Sequence, residues 1–271
     1  MTKRILLIGD LPCYGRMAVN AMLPVCTHFG FEVSVLPTAL VSNNFAYGRF
    51  DVLDTTSFME KTFSHWKALG FSFDAVYTGF LTSKAQCELV SFFCEENRAR
   101  GIKIFTDPIM GDHGALYNGM SEENVRIMRA LIQKSDFIMP NLTEACYLTD
   151  TPCRREGFSH EELRSICDKL RKLCPGSILI TSALSSGRSL VYGYDAVLKR
   201  ELTLPYENIA KEFHGTGDVF AALFISKMLN SNDVTASALY AMSTVSRMIM
   251  RNLDNDDLFD GLDIGSSLDL L

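Results

Sequence analysis

The sequence predicts an α/β fold: a mostly parallel, twisted sheet with helices on both faces and a hairpin at one edge. Short apolar runs alternate with segments whose apolar residues recur at helical spacing. Polar and glycine-bearing clusters follow directly after most of those runs. The alternation breaks once, late in the chain, where residues 188–194 and 197–204 form adjacent strand-like segments. With 271 residues and 47% hydrophobic content, residues 1–271 are expected to form a single domain with a sizeable core.

Residues 4–9 are an apolar run without alternation, the pattern of a strand covered on both faces. Residues 15–29 carry Met17, Ala21, Val25 and Phe29 at helical spacing and stop at Gly30. Residues 31–36 predict a second strand, and residues 37–48 a loop built on Ser42-Asn43-Asn44-Phe45-Ala46-Tyr47-Gly48. A helix over 57–69, a strand over 74–78 ending at Gly79, a long helix over 83–100 and a strand over 102–106 continue the alternation. A helix over 121–134, a strand over 136–139 and a short helix opening at Asn141 come next. Ser159-His160-Glu161-Glu162 is a capping box and starts a helix running to about Leu173. Residues 177–181 form a strand, and Tyr194-Asp195-Ala196 links the hairpin. Two helices close the chain, from Thr216 and from about Asp233.

A net charge of −6 with no basic run argues against nucleic acid as a partner. No apolar run is long enough to span a bilayer, and Ile5-Leu6-Leu7-Ile8 ends at Gly9-Asp10, too early for a secretory leader. Eight cysteines without a C-x-x-C spacing fit a reducing compartment, so a cytoplasmic protein is expected. Cys87 and Cys94, like Cys167 and Cys174, lie seven apart and predict buried thiols rather than a metal site. The sequence holds no P-loop motif, and no G-x-G-x-x-G follows the first strand, which disfavours a dinucleotide site.

The chain is organised around His214-Gly215-Thr216-Gly217-Asp218 and the apolar stretch after it, Val219-Phe220-Ala221-Ala222-Leu223-Phe224-Ile225. The glycines let the backbone turn tightly and present bare N–H groups at a helix N-terminus, a place that holds a phosphate. Asp218 is a carboxylate beside that anion site; its plainer reading is a first-turn residue stabilising its own helix. Further polar clusters follow the strands: Gly9-Asp10, Gly79-Phe80, Thr106-Asp107-Pro108-Ile109-Met110-Gly111-Asp112, Pro140-Asn141-Leu142-Thr143-Glu144 and Thr181-Ser182. In a parallel sheet they share one edge, where such folds bind ligands. Asp107, Asp112 and Glu144 repel a phosphate unless a cation lies between, and Mg²⁺ suits that place because it keeps waters and phosphate oxygens in its shell. Asp107 and Asn141 would otherwise cap turns. His113 and His214 read as loop residues. The tail after Arg251 has six aspartates and no Lys or Arg, and reads as a solvated terminus.

These motifs give the chain its resemblance to the pyridoxal (vitamin B6) kinases of the ribokinase-like superfamily, over nearly its full length. The Gly215-Thr216-Gly217-Asp218 turn belongs to the wider superfamily. Ser42-Asn43 with Tyr47-Gly48, Thr78-Gly79-Phe80, the D-P-x-x-G-D signature at Asp107–Asp112, Pro140-Asn141-Leu142-Thr143-Glu144 and Ile180-Thr181-Ser182 narrow it to the vitamin-kinase branch. The resemblance implies a three-layer α/β/α fold, ATP-dependent phosphorylation of a pyridine's hydroxymethyl group, a homodimer, and often a monovalent cation such as K⁺. By the same analogy Asp218 is the base near the substrate hydroxyl, and Gly215, Thr216 and Gly217 cradle the transferring phosphoryl group. Asp112, Asn141, Glu144, Thr181 and Ser182 would face ATP and its Mg²⁺, with Asp107 and Glu144 towards the metal and Tyr117 on a flap near the nucleotide. Asp218 is expected to be ionised, because the helix terminus lowers a carboxyl's pKa.

Three positions that face the vitamin in the family depart from its pattern. Asp10 stands where a serine is usual, Phe45 where a small hydroxyl residue is usual, and Phe80 where a tyrosine is common. With Ser42 and Asp218 they complete the expected substrate contacts. Asp10 would pair with a cationic amine or with the ring's 3-hydroxyl. Two other readings stand beside the vitamin B6 kinase: a kinase for another hydroxymethyl heterocycle such as hydroxymethylpyrimidine, and a non-catalytic paralogue that binds a vitamer.

Overall fold

Ile5-Leu6-Leu7-Ile8 is buried without a break, as its lack of polar alternation requires. It lies in β1 (Arg4–Pro12) of a computed structural model that describes residues 2–271. The chain continues through α1 (Val19–His28), β2 (Glu32–Val41), a 3₁₀ turn (Phe45–Tyr47), β3 (Val52–Asp54), α2 (Thr56–Leu69) and β4 (Ala75–Thr78). Then come α3 (Lys84–Arg98), β5 (Lys103–Thr106), the short pair β6 (Gly111–Asp112) and β7 (Ala115–Leu116), α4 (Glu122–Ile132) and β8 (Phe137–Ile138). α5 (Leu142–Leu148), α6 (His160–Leu173), β9 (Ser177–Ser185), β10 (Arg188–Asp195), β11 (Arg200–Tyr206), α7 (Thr216–Ser231) and α8 (Val234–Arg251) follow, with a last 3₁₀ turn at Gly265–Leu270.

The described residues pack into two compact units: the residues up to Val76 with Ile209–Leu271, and Tyr77–Asn208. In the first unit β1 pairs with β2 in parallel, and β2 with β3 antiparallel. α1 packs on β1 and β2, α2 on β2, and α7 lies between α1 and α8. α7 is apolar nearly all round, as a helix covered by neighbours must be; Val219 to Ser226 are buried without interruption. In the second unit the strands run β11-β10-β9-β8-β5. β5, β8 and β9 are parallel, and β10 is antiparallel to both its neighbours. The mostly parallel α/β class with an edge hairpin is therefore as expected. Cys87, Cys94, Cys167 and Cys174 are buried free thiols, also as expected. Among the described residues no helix is long and apolar enough to cross a membrane.

The differences have local causes. β1 runs through Asp10 to Pro12, so Asp10 lies inside the strand and not after it. Pairing with β2 slips between Gly9 and Leu11, which lets β1 continue past that point. α1 begins at Val19, because residues before it are held in a loop and Ala18 adopts a left-handed φ of 49°. β3 was not expected: all three of its residues are exposed, so it has no burial pattern for a sequence to carry. The hairpin turn is longer than expected, since Asp195 Oδ1 accepts the Val197 and Leu198 N–H groups at 2.9 and 3.0 Å and draws the turn out.

Candidate active site

In the first unit the Gly-Thr-Gly-Asp turn forms the N-terminus of α7. Gly215 is its cap at φ 81°, and a Cβ there would lie 2.7 Å from the Arg16 carbonyl oxygen. Glycine is needed on both counts. Among the described residues no side-chain hydrogen bond caps α7, an arrangement that suits an anion at its N-terminus. Thr216 Oγ1 donates to the Phe213 carbonyl at 3.2 Å, which fixes the turn, and Gly217 is exposed with open space around it.

Asp218 Oδ2 accepts the Ala18 N–H at 2.7 Å. Ala18 holds that N–H in place from a backbone conformation that non-glycine residues rarely adopt. Burial nevertheless pushes the Asp218 carboxyl up to about 6, with the Ala18 bond opposing. The expected lowering by the helix terminus is thus overturned: removal from water outweighs a partial charge at the first turn. Asp10 is pushed up to about 7, first by burial and then by the charge on Asp218. Its surface is partly open, but enough protein surrounds it to disfavour the charged form.

The asparagine loop closes on itself. Ser42, exposed, accepts the Asp51 N–H at 2.8 Å through Oγ and donates to Asn43 Oδ1 at 2.7 Å. Asn44 Oδ1 accepts the Ala46 N–H at 3.0 Å and so starts the 3₁₀ turn. Phe45, half-buried, packs on Phe50 with ring centroids 4.4 Å apart.

The second unit gathers the other candidates. Glu144, 3% exposed, is the third residue of α5 and completes a capping box with Asn141. Its Oε2 accepts the Asn141 N–H at 2.9 Å, and its Oε1 accepts the Met110 N–H at 3.1 Å. Asn141 Oδ1 accepts the Glu144 N–H at 2.9 Å, while its Nδ2 donates to the Gly111 carbonyl at 2.8 Å. Asn141 also bridges to Thr181, whose N–H donates to the Pro140 carbonyl at 2.8 Å. Asp107 is buried after β5, and its N–H donates to the Thr78 carbonyl at 2.9 Å. Burial and the Asp107 and Asp112 carboxylates push Glu144 well above the usual carboxylate range.

Asp107, Asp112, Asn141, Glu144 and Thr181 therefore share one neighbourhood. Asp112 ends β6 and accepts the N–H of His113 at 2.7 Å at the turn into β7, a hairpin beyond the expected elements. Gly111 is fixed by that hairpin, since a Cβ there would lie 2.4 Å from the Ala115 carbonyl oxygen. Tyr117 follows β7, exposed, with its N–H on the Met110 carbonyl at 3.0 Å. Ser182 is exposed at φ 52°, and Phe80 is buried after β4. Ala18 and Arg16 escaped the sequence reading, because neither residue type signals a backbone group aimed at a carboxylate or a glycine.

A bare helix N-terminus with an adjoining proton-accepting carboxyl suits group transfer from a phosphate. A neighbourhood of crowded carboxylates suits a cation-bound polyphosphate. The sequence profile of the phosphomethylpyrimidine kinases matches residues 19–260, across both units. The chain belongs to this family. It is thereby a kinase, a phosphotransferase. Among family relatives, a Bacteroides thetaiotaomicron protein provisionally described as a phosphomethylpyrimidine kinase was crystallised with pyridoxal. This chain is 32% identical to it, covering 100% of this chain and 96% of that one, with a TM-score of 0.94. The sheep (Ovis aries) pyridoxal kinase is 25% identical over 248 residues, 83% of this chain and 77% of the sheep protein. A Leishmania donovani pyridoxal kinase in complex with ADP and pyridoxamine, 21% identical, shares the fold at a TM-score of 0.84 over 98% of this chain and 94% of that one.

Proposed function

We propose that this family member transfers the γ-phosphoryl group of ATP to the 5′-hydroxymethyl group of a vitamin B6 vitamer: pyridoxal, pyridoxine or pyridoxamine. The observation that carries the reading is the Gly215-Thr216-Gly217 nest with Asp218 in its first turn. It is supported by the whole-chain likeness to a protein crystallised with pyridoxal. The hydroxyl oxygen bonds to the γ-phosphorus as the bond from phosphorus to the ADP oxygen breaks. The hydroxyl proton passes to Asp218, and ADP carries away the electron pair of the broken bond.

Asp218 is suited to that proton. Its pKa near 6 makes it a better base than an ordinary carboxylate, yet one ionised at neutral pH. The N–H groups of the nest are fixed donors for the charge that builds on the transferring group. In the second unit Asp112, Asn141, Glu144, Thr181 and Ser182 would bind ATP, with Tyr117 against the nucleotide. Asp107 and Glu144 fit a magnesium ion: both are buried, Glu144 is raised by that burial and then by the charge of Asp107, and a divalent cation would relieve the repulsion between them. When bound, that ion neutralises the polyphosphate. Among the described residues no three acidic, His or Cys side chains form a cage, which suits an ion that keeps waters and phosphate oxygens as ligands. K⁺ and a homodimer complete the proposal by analogy.

Asp10, Ser42, Phe45 and Phe80 are proposed to contact the vitamer. Asp10 would favour a substrate with a cationic amine, so Asp10→Ser should change the ratio of pyridoxamine to pyridoxal turnover; an unchanged ratio would remove that role. A second reading is phosphorylation of a pyrimidine, either hydroxymethylpyrimidine or the phosphomethylpyrimidine that the family description names. Incubation with ATP, Mg²⁺ and a panel of pyridine and pyrimidine alcohols together with phosphomethylpyrimidine separates the two. Phosphorylated B6 vitamers are expected, and turnover confined to the pyrimidine would replace the reading.

A further inference from the structure

The acidic tail, expected to be a solvated terminus, is tied at three places to the groups proposed to bind the acceptor alcohol and the phosphoryl group. The first tie is to the asparagine loop. Tyr47 Oη donates to the Asp257 carboxylate, 2.9 and 2.8 Å from its two oxygens. Asn44 Nδ2 donates to the Phe259 carbonyl at 3.0 Å, and the Tyr47 and Phe259 rings meet edge to face at 5.4 Å. The second tie is to the loop before α1. The Arg16 N–H donates to the Asp260 carbonyl at 2.7 Å, and its guanidinium pairs with Asp260 at 3.2 Å. The third is to the nest. The His214 N–H donates to the Leu258 carbonyl at 3.1 Å, and the His214 ring meets Phe259 edge to face at 5.2 Å.

The tail itself is held in shape by Asp257 and by Asn252 at the end of α8. Asp257 Oδ1 accepts the N–H groups of Phe259 and Asp260 at 3.1 and 3.2 Å. Asn252 Oδ1 accepts the Asp263 N–H at 2.8 Å. Two glycines let the strands of this knot approach: a Cβ at Gly215 or Gly261 would lie 2.7 Å from the same Arg16 carbonyl oxygen. A freely solvated acidic tail would make none of these contacts, and an acid run whose carboxylates satisfy backbone donors is an ordered one.

We propose that residues 255–263 form a positioning strap that fixes the spacing between the asparagine loop and the phosphate nest, with Tyr47, Asp257 and Phe259 as its positioning residues. Phe259 is the central member, since its ring meets both Tyr47 and His214 while its carbonyl holds Asn44. The catalytic part of this inference rests on the proposed kinase reaction. Loosening the strap lets the loop and the nest move independently, so the acceptor alcohol is held less well while ATP binding is unaffected. Water then competes for the phosphoryl group.

Tyr47→Phe removes the hydrogen bond and keeps the ring; Phe259→Leu keeps bulk and removes both ring contacts. In the full chain, each variant is expected to raise KM for the acceptor alcohol about ten-fold with KM for ATP changed by less than about two-fold. Each should also raise the ratio of ATP hydrolysed to alcohol phosphorylated. Amide hydrogen exchange should speed up in both residues 42–47 and residues 214–218 in either variant, although Tyr47 lies in only one of them. A merely structural role would lower Tm and kcat without the KM split. Exchange confined to the mutated limb, or an acceptor KM unchanged in both folded variants, overturns the strap. Because exchange needs no substrate, a wild-type chain that phosphorylates no B6 vitamer defeats the proposed function while the exchange result still decides the strap.

Discussion

The two units treat their buried carboxyls differently. In the second, Glu144 accepts backbone N–H groups from Asn141 and Met110, and still lies well above the usual range, through burial first and then through the charges of Asp107 and Asp112. In the first, Asp218 accepts the Ala18 N–H, and its elevation comes from burial. Burial raises both, but only Glu144 also faces neighbouring carboxylates, and that added repulsion is what a cation relieves. On the proposed function the difference is a division of labour: the second unit prepares the metal-bound nucleotide, and the first prepares the proton transfer. Glu144 also has a structural task as a capping-box residue, which Asp218 lacks.

Removal of the proton acceptor should break the comparison most sharply. Asp218→Ala is expected to lower kcat by roughly 10²–10⁴-fold with ATP affinity little changed, as steady-state kinetics on the folded variant would check. Retained turnover would reduce Asp218 to a helix-terminal residue.

Glu144 offers the matching test of the second unit. Glu144→Gln keeps one acceptor oxygen for the cap bond to Asn141, but it loses the charge and the acceptor that faces the Met110 N–H. It should cost less stability than Glu144→Ala while lowering activity about ten-fold or more at limiting Mg²⁺. Glu144→Ala should in addition cost about 1 kcal/mol of stability through the lost cap, read by denaturant unfolding. Equal activity of wild type and Glu144→Gln across a Mg²⁺ titration would make Glu144 a cap alone.

The nest gives a smaller effect. Gly215→Ala places a Cβ 2.7 Å from the Arg16 carbonyl at φ 81°, and should destabilise by about 1–2 kcal/mol with a raised KM for ATP. Asp10 gives the smallest. Its carboxyl goes from an ordinary 3.8 to about 7 on folding, so between those values the folded chain holds a proton that the unfolded chain has released. The stability this provides is therefore present at low pH and lost as pH rises through about 7. Asp10→Asn should remove that loss, raising Tm above wild type by a few degrees at about pH 8 and not at about pH 4. A pH-independent Tm difference would place Asp10 in a solvated environment.

Much of this was readable from residues alone, for identifiable reasons. The Gly-Thr-Gly-Asp turn is contiguous, and both its glycines and the apolar run after it carry local signals. The short helix opening at Asn141 is likewise written in adjacent positions, and the structure adds that Asn141 and Glu144 cap it reciprocally. What escaped the sequence depends on separation. Ala18 meets Asp218 across 200 residues and acts through its backbone, so its side chain says nothing. The rise in the Asp218 pKa was missed because the helix dipole is local, whereas burial is set by the packed unit. The acidic tail resembled a solvated terminus because composition cannot show that Asp257 and Asp260 accept bonds from Tyr47 and Arg16. β3 and the β6–β7 hairpin are too short to carry a period.

The most direct test of the central claim is the pH profile of kcat/KM for ATP-dependent phosphorylation of pyridoxal by the wild-type chain. The account predicts formation of the 5′-phosphate and a rate that rises with pH to a plateau, with an apparent pKa near 6, as Asp218 loses its proton. Absence of ATP-dependent product with pyridoxal, pyridoxine and pyridoxamine, or a rate independent of pH across that range, would contradict it.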